Sequence, residues 1–226
     1  MVKKQAEAVC SLAPRRRGRP VQMNAAEREA EILRVTADLL LTRPLDSLST
    51  GEIARAVGMS KRTLYELFGS REALIGATIA QVSRTIFRPL AAQERALPLA
   101  ARLAILLTPN DPPASDTHKF ELLRSIIAKA KTYPSLAQDM CSSGRGTLAG
   151  YLRAELAAAV AEGEIALAPE VQAEAAEMLI DMAFHAPIPR LLDPTLPVPT
   201  PEATRLRREL AISLFLGGCR RALPSA

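Results

Sequence analysis

The most restrictive feature of this chain is the stretch STGEIARAVGMSKRTLYELF, which runs from Ser49 to Phe68. It carries two hydroxyl side chains at helix-start positions, with one glycine between them. Ser49 and Glu52, three residues apart, form the pattern of a capping box, in which each side chain accepts the other residue's backbone N–H. Gly58 suits the left-handed conformation that ends a helix, and Ser60 suits the start of the next one. The stretch therefore predicts two short helices joined by a tight turn, a helix-turn-helix.

Seven small or apolar residues occupy the positions where these two helices have to face each other. They are Leu48, Ile53, Ala54, Val57, Met59, Leu64 and Leu67. Two pairs among them, Leu48–Ile53 and Met59–Leu64, also have the spacing of a hydrophobic staple around a helix start. An ordinary helical hairpin would share this core, but it would not need the basic, hydroxyl-rich outer face that the second helix carries.

The rest of the chain is typical of an all-α protein with about nine helices. Apolar residues make up 48% of the chain and aromatic residues only 4%, which favours helices over a β-sandwich. Asn24 begins a first helix that ends before Pro44, and Ser70 begins a fourth. Later helices are predicted near 98–107, 118–131, 135–161 with a kink near 142–144, 170–185 and 202–217. The six prolines of 186–201 predict an extended connection there.

The excess of positive charge lies in the first 23 residues. This segment has six basic residues and one acidic residue, whereas the two kinds balance in 24–85 and again in 86–226. Pro14, Gly18 and Pro20 interrupt it, so we expect a flexible arm. A basic arm of this kind favours binding to phosphate groups, on a nucleic acid or on a membrane surface. We therefore expect three parts: the arm over 1–23, a helix-turn-helix domain over 24–87, and a second helical domain over 88–226.

Cysteine, histidine and hydropathy patterns argue against several classes of protein. Three widely separated cysteines do not suit a disulfide framework and favour a reducing, cytoplasmic compartment. Two isolated histidines give no metal site, and we expect no cofactor. The sequence has no apolar run of 18 residues and no signal-peptide pattern, so we expect neither a membrane span nor secretion. It also lacks a phosphate-binding glycine loop and a nucleophile elbow, so we expect no enzyme.

A set of residues within roughly 27–80 points to a known family. The residues, in register and without gaps, are Ile53-Ala54, Gly58-Met59-Ser60, Thr63-Leu64-Tyr65, Phe68 and Ser70-Arg71-Glu72-Ala73-Leu74. Together they resemble the tetracycline-repressor (TetR) family of transcription regulators. That family more often has Lys at the position of Arg71 and often Gly at that of Arg62, so this helix is more basic than usual. The resemblance implies a three-helix DNA-binding head on an all-helical body with a ligand pocket and a dimer interface.

The second helix of the motif carries most of the residues that we expect to contact DNA. The residues near the start of such a recognition helix read base edges in the major groove. The candidates are Ser49, Thr50, Ser60, Lys61, Arg62, Thr63, Tyr65, Ser70 and Arg71. We expect Arg62 to contact guanine, and Lys61 to contact either guanine or phosphate. By resemblance Tyr65 contacts the DNA backbone, but packing of its ring is equally consistent, and the residues at helix starts either hold phosphates or only cap the helices.

The basic arm contains RRRGRP, which resembles the AT-hook core Arg-Gly-Arg-Pro. Its arginines, Arg15, Arg16, Arg17 and Arg19, are therefore candidates for insertion into a narrow minor groove, where negative potential is concentrated. The alternative is a solvated tail that adds unspecific, salt-sensitive affinity.

The remaining expectations concern the 88–226 domain. One helix-turn-helix reads little sequence, so we expect a homodimer on an inverted repeat of double-stranded DNA. By resemblance the dimer forms through the last two helices. Ser213 and Gly217 would permit close approach there, and a buried contact within one chain would explain them equally well. A small apolar effector, whose identity the sequence leaves open, is expected in a pocket of this domain. The candidate lining residues, each of which equally suits core packing, are Phe120, Met140, Tyr151, Met178, Met182, Phe184 and His185.

Taken with the resemblance, these features predict a dimeric, cytoplasmic, nucleoid-associated repressor that leaves its operator when the effector binds. An architectural or division-linked DNA-binding protein without an effector would share the basic arm. A ligand-modifying enzyme is a second alternative, which turnover of a bound aromatic or fatty compound would support.

Overall fold

The computed structural model of this chain describes residues 23–110 and 116–219, and every regular element in these two ranges is a helix. The α-helices are α1 (Ala25–Thr42), α2 (Thr50–Val57), α3 (Lys61–Phe68), α4 (Arg71–Ile86), α5 (Leu99–Leu106), α6 (Asp116–Lys129), α7 (Pro134–Ser143), α8 (Arg145–Ala161), α9 (Gln172–Ala183), α10 (Ile188–Leu192) and α11 (Pro201–Cys219). Short 3-10 turns lie at Leu45–Ser47, Ala92–Ala96 and Pro169–Val171. The all-α prediction is thus confirmed. None of the helices in the described ranges is long and apolar enough to cross a bilayer.

Helices α1 to α4, which we call the head, enclose a small apolar core. Its buried members are Ile32, Leu33, Ile53, Ala54, Leu64 and Leu74. Asn24 and Ser49 form capping boxes at the starts of α1 and α2, so both helices begin where the sequence predicts. Leu67 was expected in this core but is 36% exposed. Leu64 and Phe68, four residues apart, form the side of α3 that packs on the core, and Leu67 lies at its edge.

Helix α4 is shared between the head and the body, as we call α5 to α11. Leu74 belongs to the head core, whereas Ile75 and Ile79 belong to a second cluster with residues of α6 and α7. The buried members of this second cluster are Leu40, Leu45, Leu48, Ile75, Ile79, Ile126 and Leu136. An ion pair between Lys129 of α6 and Asp46 joins the same two parts of the molecule. Helices α6 and α7 are therefore in direct contact with α4 and with the segment that precedes α2.

Helices α5, α8, α9 and α11 surround the largest apolar cluster, which includes Leu103, Leu152 and Leu179. A buried charge lies at its edge. The Arg102 Nε atom is 2.7 Å from a carboxylate oxygen of the equally buried Glu155, and a terminal nitrogen contacts Glu164. Pairing of this kind offsets the loss of hydration that a buried charge suffers. Arg102 thereby ties α5 to α8 and to the loop after α8.

Two regions of the body differ from the sequence-based expectation. The helix predicted over 135–161 is broken at Gly144, so that α7 packs along α4 while α8 belongs to the body core. The proline-rich stretch 186–201 was expected to be extended throughout, but Ile188–Leu192 is helical. Pro187 and Pro189 lie at the start of this helix, where a proline loses no helical hydrogen bond, so they are compatible with it.

Candidate nucleic-acid interface

The turn between α2 and α3 sets the position of the recognition helix. Gly58 has φ 72° and ψ 26°, a left-handed conformation that residues with a side chain rarely adopt. The N–H groups of Gly58 and Met59 donate to the carbonyls of Arg55 and Ala54 and so close α2. Ser60 is extended, and its side chain accepts the Thr63 N–H at 3.1 Å to begin α3. The expected helix-turn-helix is thus formed by local hydrogen bonds of the expected residues.

The outward side of α3 presents the expected basic and hydroxyl-bearing residues together. Lys61 and Arg62 are exposed at the start of the helix, and the Arg62 side chain is 87% accessible. Tyr65 is half exposed and Thr63 is half buried. Only Leu64 of this segment is fully buried, so the core does not require the charged residues. Their placement leaves them available to a ligand that approaches the start of α3.

Lys61 lies against the start of α2 rather than pointing away from the head. A Cβ atom added at Gly51 would lie 2.8 Å from the Lys61 Cε atom and 3.1 Å from Nζ. The absence of a side chain at Gly51 therefore makes room for the end of Lys61. A positive charge beside a helix start, which is itself partly positive, suits an anion bound between the two. This position favours phosphate over a base edge as the partner of Lys61.

The other helix-start residues act as caps. Ser49 Oγ accepts the Glu52 N–H at 3.2 Å and donates to a Glu52 carboxylate oxygen at 2.9 Å. Hydrogen bonds from the Ser49 N–H and then from its hydroxyl lower the pKa of Glu52. Ser70 Oγ accepts the Ala73 N–H at 3.0 Å, and Thr50 follows Ser49 at the first position of α2. Capping leaves the exposed N–H groups of these first turns pointing outward, as phosphate binding requires.

Arg71, a predicted phosphate contact, has its side-chain donors engaged inside the protein, and the phosphate contact stays a prediction. Its guanidinium is directed into the protein, where Nε donates to the carbonyl of Leu48 and a terminal nitrogen to that of Leu45, each at 2.5 Å. It also forms an ion pair with Glu72 at 3.4 Å. The reason is geometric, because the carbonyls around the 45–47 turn face the start of α4 and take up the Arg71 donors. Arg71 therefore holds the segment before α2 against α4.

The four arginines of the basic arm, Arg15, Arg16, Arg17 and Arg19, lie outside the described residues. The minor-groove role of the arm stays a prediction from the sequence.

The seven candidate pocket residues are distributed over different parts of the body. Three candidates lie on α6 to α8. The guanidinium carbon of Arg190 is 4.0 Å from the centroid of the Phe120 ring. Met140 packs against the cluster that α6 and α7 share with α4. Tyr151 borders a small cavity of about 70 Å³ that Leu106 and Glu155 also line. The three lie on α6, α7 and α8, and Met140 and Tyr151 pack against different apolar clusters.

The other four candidates lie on or just after α9. Met178 and Met182 line an open groove of about 430 Å³ between α9 and α11, together with Leu214 and Phe215. Phe184 stacks edge-on against Phe87, with 5.8 Å between ring centroids. His185 lies largely in solvent. The part of its ring that is buried and, after that, the positive charges of Arg207 and Arg190 lower its pKa. Met178 and Met182 thus share one groove and Tyr151 borders another cavity, and a ligand pocket lined by the candidates stays a prediction.

A further surface was only partly foreseen from the sequence. Leu206, Leu210 and Leu214 of α11 are each more than half exposed and, at a spacing of four, form one apolar stripe beside the exposed Met178 of α9. Ser213 and Gly217 of the same helix, where the sequence predicts close approach, line a shallow groove of about 490 Å³ between α5 and α11. The spacing of four residues between these leucines is the sequence pattern from which the stripe could have been predicted. An unburied stripe of this kind on the last long helix is a candidate interaction surface.

Similarity to known proteins agrees with this geometry. Residues 32–78 match the sequence model of the family described as bacterial regulatory proteins, tetR family. Over 64 residues, 28% of this chain, the sequence is 36% identical to the HTH-type transcriptional regulator AlkX of Mycobacterium tuberculosis strain H37Rv. This match spans 30% of the length of that curated relative.

Two solved structures share the fold over most of their length. One, assigned to the TetR family of transcriptional regulators, is from Mesorhizobium loti MAFF303099; it has a TM-score of 0.65 and 18% identity over 87% of this chain and 98% of its own. The other, the flavonoid-responsive regulator FrrA, has a TM-score of 0.62 and 24% identity over 89% of this chain and 100% of its own. The fold and the head thus define a helix-turn-helix protein with a helical body. The sequence similarity to the tetR family of bacterial regulatory proteins thus covers the head, and the similarity of the body is one of fold.

Proposed function

We propose that this protein is a sequence-specific, DNA-binding regulator of transcription. The observation that supports this most directly is the outward side of α3, where Lys61 and Arg62 are exposed although the core requires neither. In a helix-turn-helix this end of the second helix enters the major groove. The other head residues that remain candidates for DNA contact are Ser49, Thr50, Ser60, Thr63, Tyr65, Ser70 and Arg71.

The contacts divide into those that read bases and those that position the head. Arg62 has the reach and the planar fork for a bidentate contact with guanine, which is worth about 1–3 kcal/mol of discrimination. Lys61, beside the start of α2, is suited to a phosphate, as are the N–H groups at the starts of α2 and α4. Phosphate contacts set register and affinity but carry no sequence information.

A dimer is the state in which one head per subunit reads an inverted repeat. The stripe Leu206, Leu210 and Leu214 with Met178 supports dimer formation through α9 and α11. Two recognition helices fit successive major grooves on one side of the duplex when their centres are about 34–36 Å apart. We infer that the dimer holds the two heads at this separation in the DNA-binding state, and that the protein is found with the nucleoid.

We further propose repression that a small apolar ligand relieves. A ligand changes DNA affinity only if it binds the two arrangements of the heads with different affinity, and coupling of about 1–3 kcal/mol is ordinary. Contacts of α6 and α7 with α4 and the 45–47 turn give the body a direct route to the head. The similar structure FrrA is described as flavonoid-responsive, so a panel of flavonoids is a reasonable first set of probes.

Selection from a randomised duplex library at physiological salt tests the proposed function. The purified full chain is expected to enrich one inverted repeat whose half-sites are centred about one helical turn apart. Enrichment of A·T-rich sequence without a repeat would contradict sequence-specific reading and would support the architectural alternative instead. Failure to retain any duplex would contradict DNA binding itself.

A further inference from the structure

The side chain of Arg62 is already oriented in the free protein. Its Nε atom donates to a carboxylate oxygen of Glu66, one turn further along α3, at 2.7 Å. The two side chains are 87% and 58% exposed, so they lie on the open side of the helix. Within the described part of the chain, the two terminal nitrogens of Arg62 make no hydrogen bond. Glu66 therefore binds the guanidinium at Nε, and the two terminal nitrogens stay exposed to solvent.

Helix stability gives little reason for a glutamate at this position. Exposed pairs at this spacing contribute a few tenths of a kcal/mol, and the order Arg then Glu is the less favourable one with respect to the helix dipole. A carboxylate on the side of a helix that approaches DNA also opposes binding, because the phosphates are negative. Glu66 thus weakens the attraction of α3 for DNA in general and must be explained by its effect on Arg62.

We propose that Glu66 is a specificity-determining residue that positions Arg62 for guanine. This inference rests on the proposed function, since it requires that α3 reads DNA. Engagement of Nε leaves Nη1 and Nη2 as a parallel pair of donors, which matches the O6 and N7 acceptors of guanine in the major groove. The ion pair with Glu66 also restricts the Arg62 side chain before DNA binds, so that less conformational entropy is lost on binding.

Glu66 also acts against the wrong base. When another base pair replaces guanine, the fork loses its two acceptors while the carboxylate stays close to the negatively charged duplex. The repulsion weakens both complexes alike, but only the complex with guanine regains affinity from the oriented Arg62 side chain, so the wrong complex remains the weaker one. Glu66 accordingly affects the choice of sequence more than the affinity for the correct site.

The test compares dissociation constants on two duplexes. One is the inverted repeat obtained by selection, and the other has an A·T pair in place of the guanine whose preference Arg62→Ala abolishes. The proteins are wild type, Glu66→Ala, Glu66→Gln and, as a matched control, Asp38→Asn. Asp38 is an exposed acidic residue that pairs with Arg34 four residues away on α1, so its substitution removes the same charge away from α3.

Glu66→Ala is expected to reduce the ratio of the two dissociation constants about three- to tenfold per half-site, mainly through tighter binding of the substituted duplex. Glu66→Gln is expected to retain more of the ratio than Glu66→Ala, because its amide oxygen still accepts from Nε. Asp38→Asn should change both constants by the same factor. A purely structural role of Glu66 would alter thermal unfolding and both constants together, without selectivity for this base pair.

The inference is overturned if wild type prefers the selected repeat and Glu66→Ala shows the same preference at the Arg62 position. It is also overturned if Glu66→Ala loses preference at a different position, since Glu66 would then read a base itself. If wild type selects no sequence, the proposed function fails first, and this inference fails with it.

Discussion

We expect the lack of a side chain at Gly51 to lower the stability of the protein but to favour DNA binding, because it makes room for Lys61. Gly51 lies in the first turn of α2, and the flexible end of Lys61 occupies the space where a Cβ would lie. We predict that Gly51→Ala raises the free energy of unfolding by up to about 1 kcal/mol, because alanine is the better helix former. The same change displaces Lys61 and weakens DNA binding for all sequences. Denaturant unfolding and salt-dependent binding measure the two effects.

Lys61→Ala is the matched variant for this prediction. It should reproduce the loss of DNA affinity, with a salt slope shallower by about 0.9 for each lost phosphate contact, but without the gain in stability. If Gly51→Ala binds DNA as tightly as wild type, the close contact between these two residues has no role in binding.

Arg71 illustrates the opposite case, a basic residue next to the proposed interface that acts inside the protein. We predict that Arg71→Ala lowers the free energy of unfolding by about 1–3 kcal/mol, since the hydrogen bonds from a charged donor to the Leu45 and Leu48 carbonyls are lost. Arg84→Ala, which removes an exposed charge from the same helix, should change stability little. Thermal and denaturant unfolding provide the comparison.

Another result would instead support the phosphate contact that the sequence predicts for Arg71. Unchanged stability of Arg71→Ala, together with a uniform loss of DNA affinity, would mean that the side chain leaves the carbonyls and binds phosphate when DNA is present.

At the scale of elements, the capping box of α2 gives a dependence on pH. Hydrogen bonds from Ser49 lower the pKa of Glu52 below its ordinary value, so the native state prefers the charged carboxylate. The resulting stability is fully present above the ordinary glutamate pKa and is lost as the pH falls through the pKa of folded Glu52. We predict that Glu52→Gln is less stable than wild type at neutral pH and that this difference disappears under acid conditions.

Denaturant unfolding of both proteins between neutral pH and about pH 3 checks this, since glutamates titrate near the acid end of that range. Glu29→Gln on α1 changes an exposed carboxylate that has no hydrogen-bond or ion-pair partner among the described residues, and it should show no comparable difference at any pH. A difference between wild type and Glu52→Gln that stays constant across the range would contradict the account.

The elements that could be predicted from the sequence are those that local chemistry determines. The caps at Asn24, Ser49 and Ser60 and the glycine turn at Gly58 involve residues within four positions of one another, and all of them form as expected. The exposed position of Lys61 and Arg62 at the start of α3 follows from the same local pattern. Apolar spacing likewise gave most helices of the body.

Features that depend on contacts distant in sequence could not be predicted. The Arg71 side chain bonds to carbonyls 23 and 26 residues away, and no local pattern shows that these carbonyls face α4. The break at Gly144 separates two helices that pack in different cores. The pocket candidates were chosen by residue type, but whether such side chains converge depends on how α6 to α9 pack.

At the scale of the whole molecule, the apolar stripe on α11 predicts the assembly. We predict that Leu210→Asp yields a monomer, because a charge in the centre of an apolar interface loses its hydration without gaining a partner. Affinity for the inverted repeat should fall by at least about tenfold, since only one head then binds at a time. Sedimentation velocity and binding to the selected duplex are the measurements.

Leu192→Asp is the control for the dimer prediction. Leu192 is 81% exposed on α10, away from the stripe, so its substitution should leave both the dimer and the affinity unchanged. A Leu210→Asp protein that remains dimeric would mean that the two subunits meet through another surface.

The central claim is that α3 enters the major groove and that Arg62 contacts a guanine there. Methylation interference on the selected duplex tests this most directly, because it modifies guanine N7 in the major groove. The account predicts that methylation of one guanine in each half-site prevents binding of wild type but not of Arg62→Ala. Interference confined to the minor groove, or a guanine signal that persists in Arg62→Ala, would contradict it.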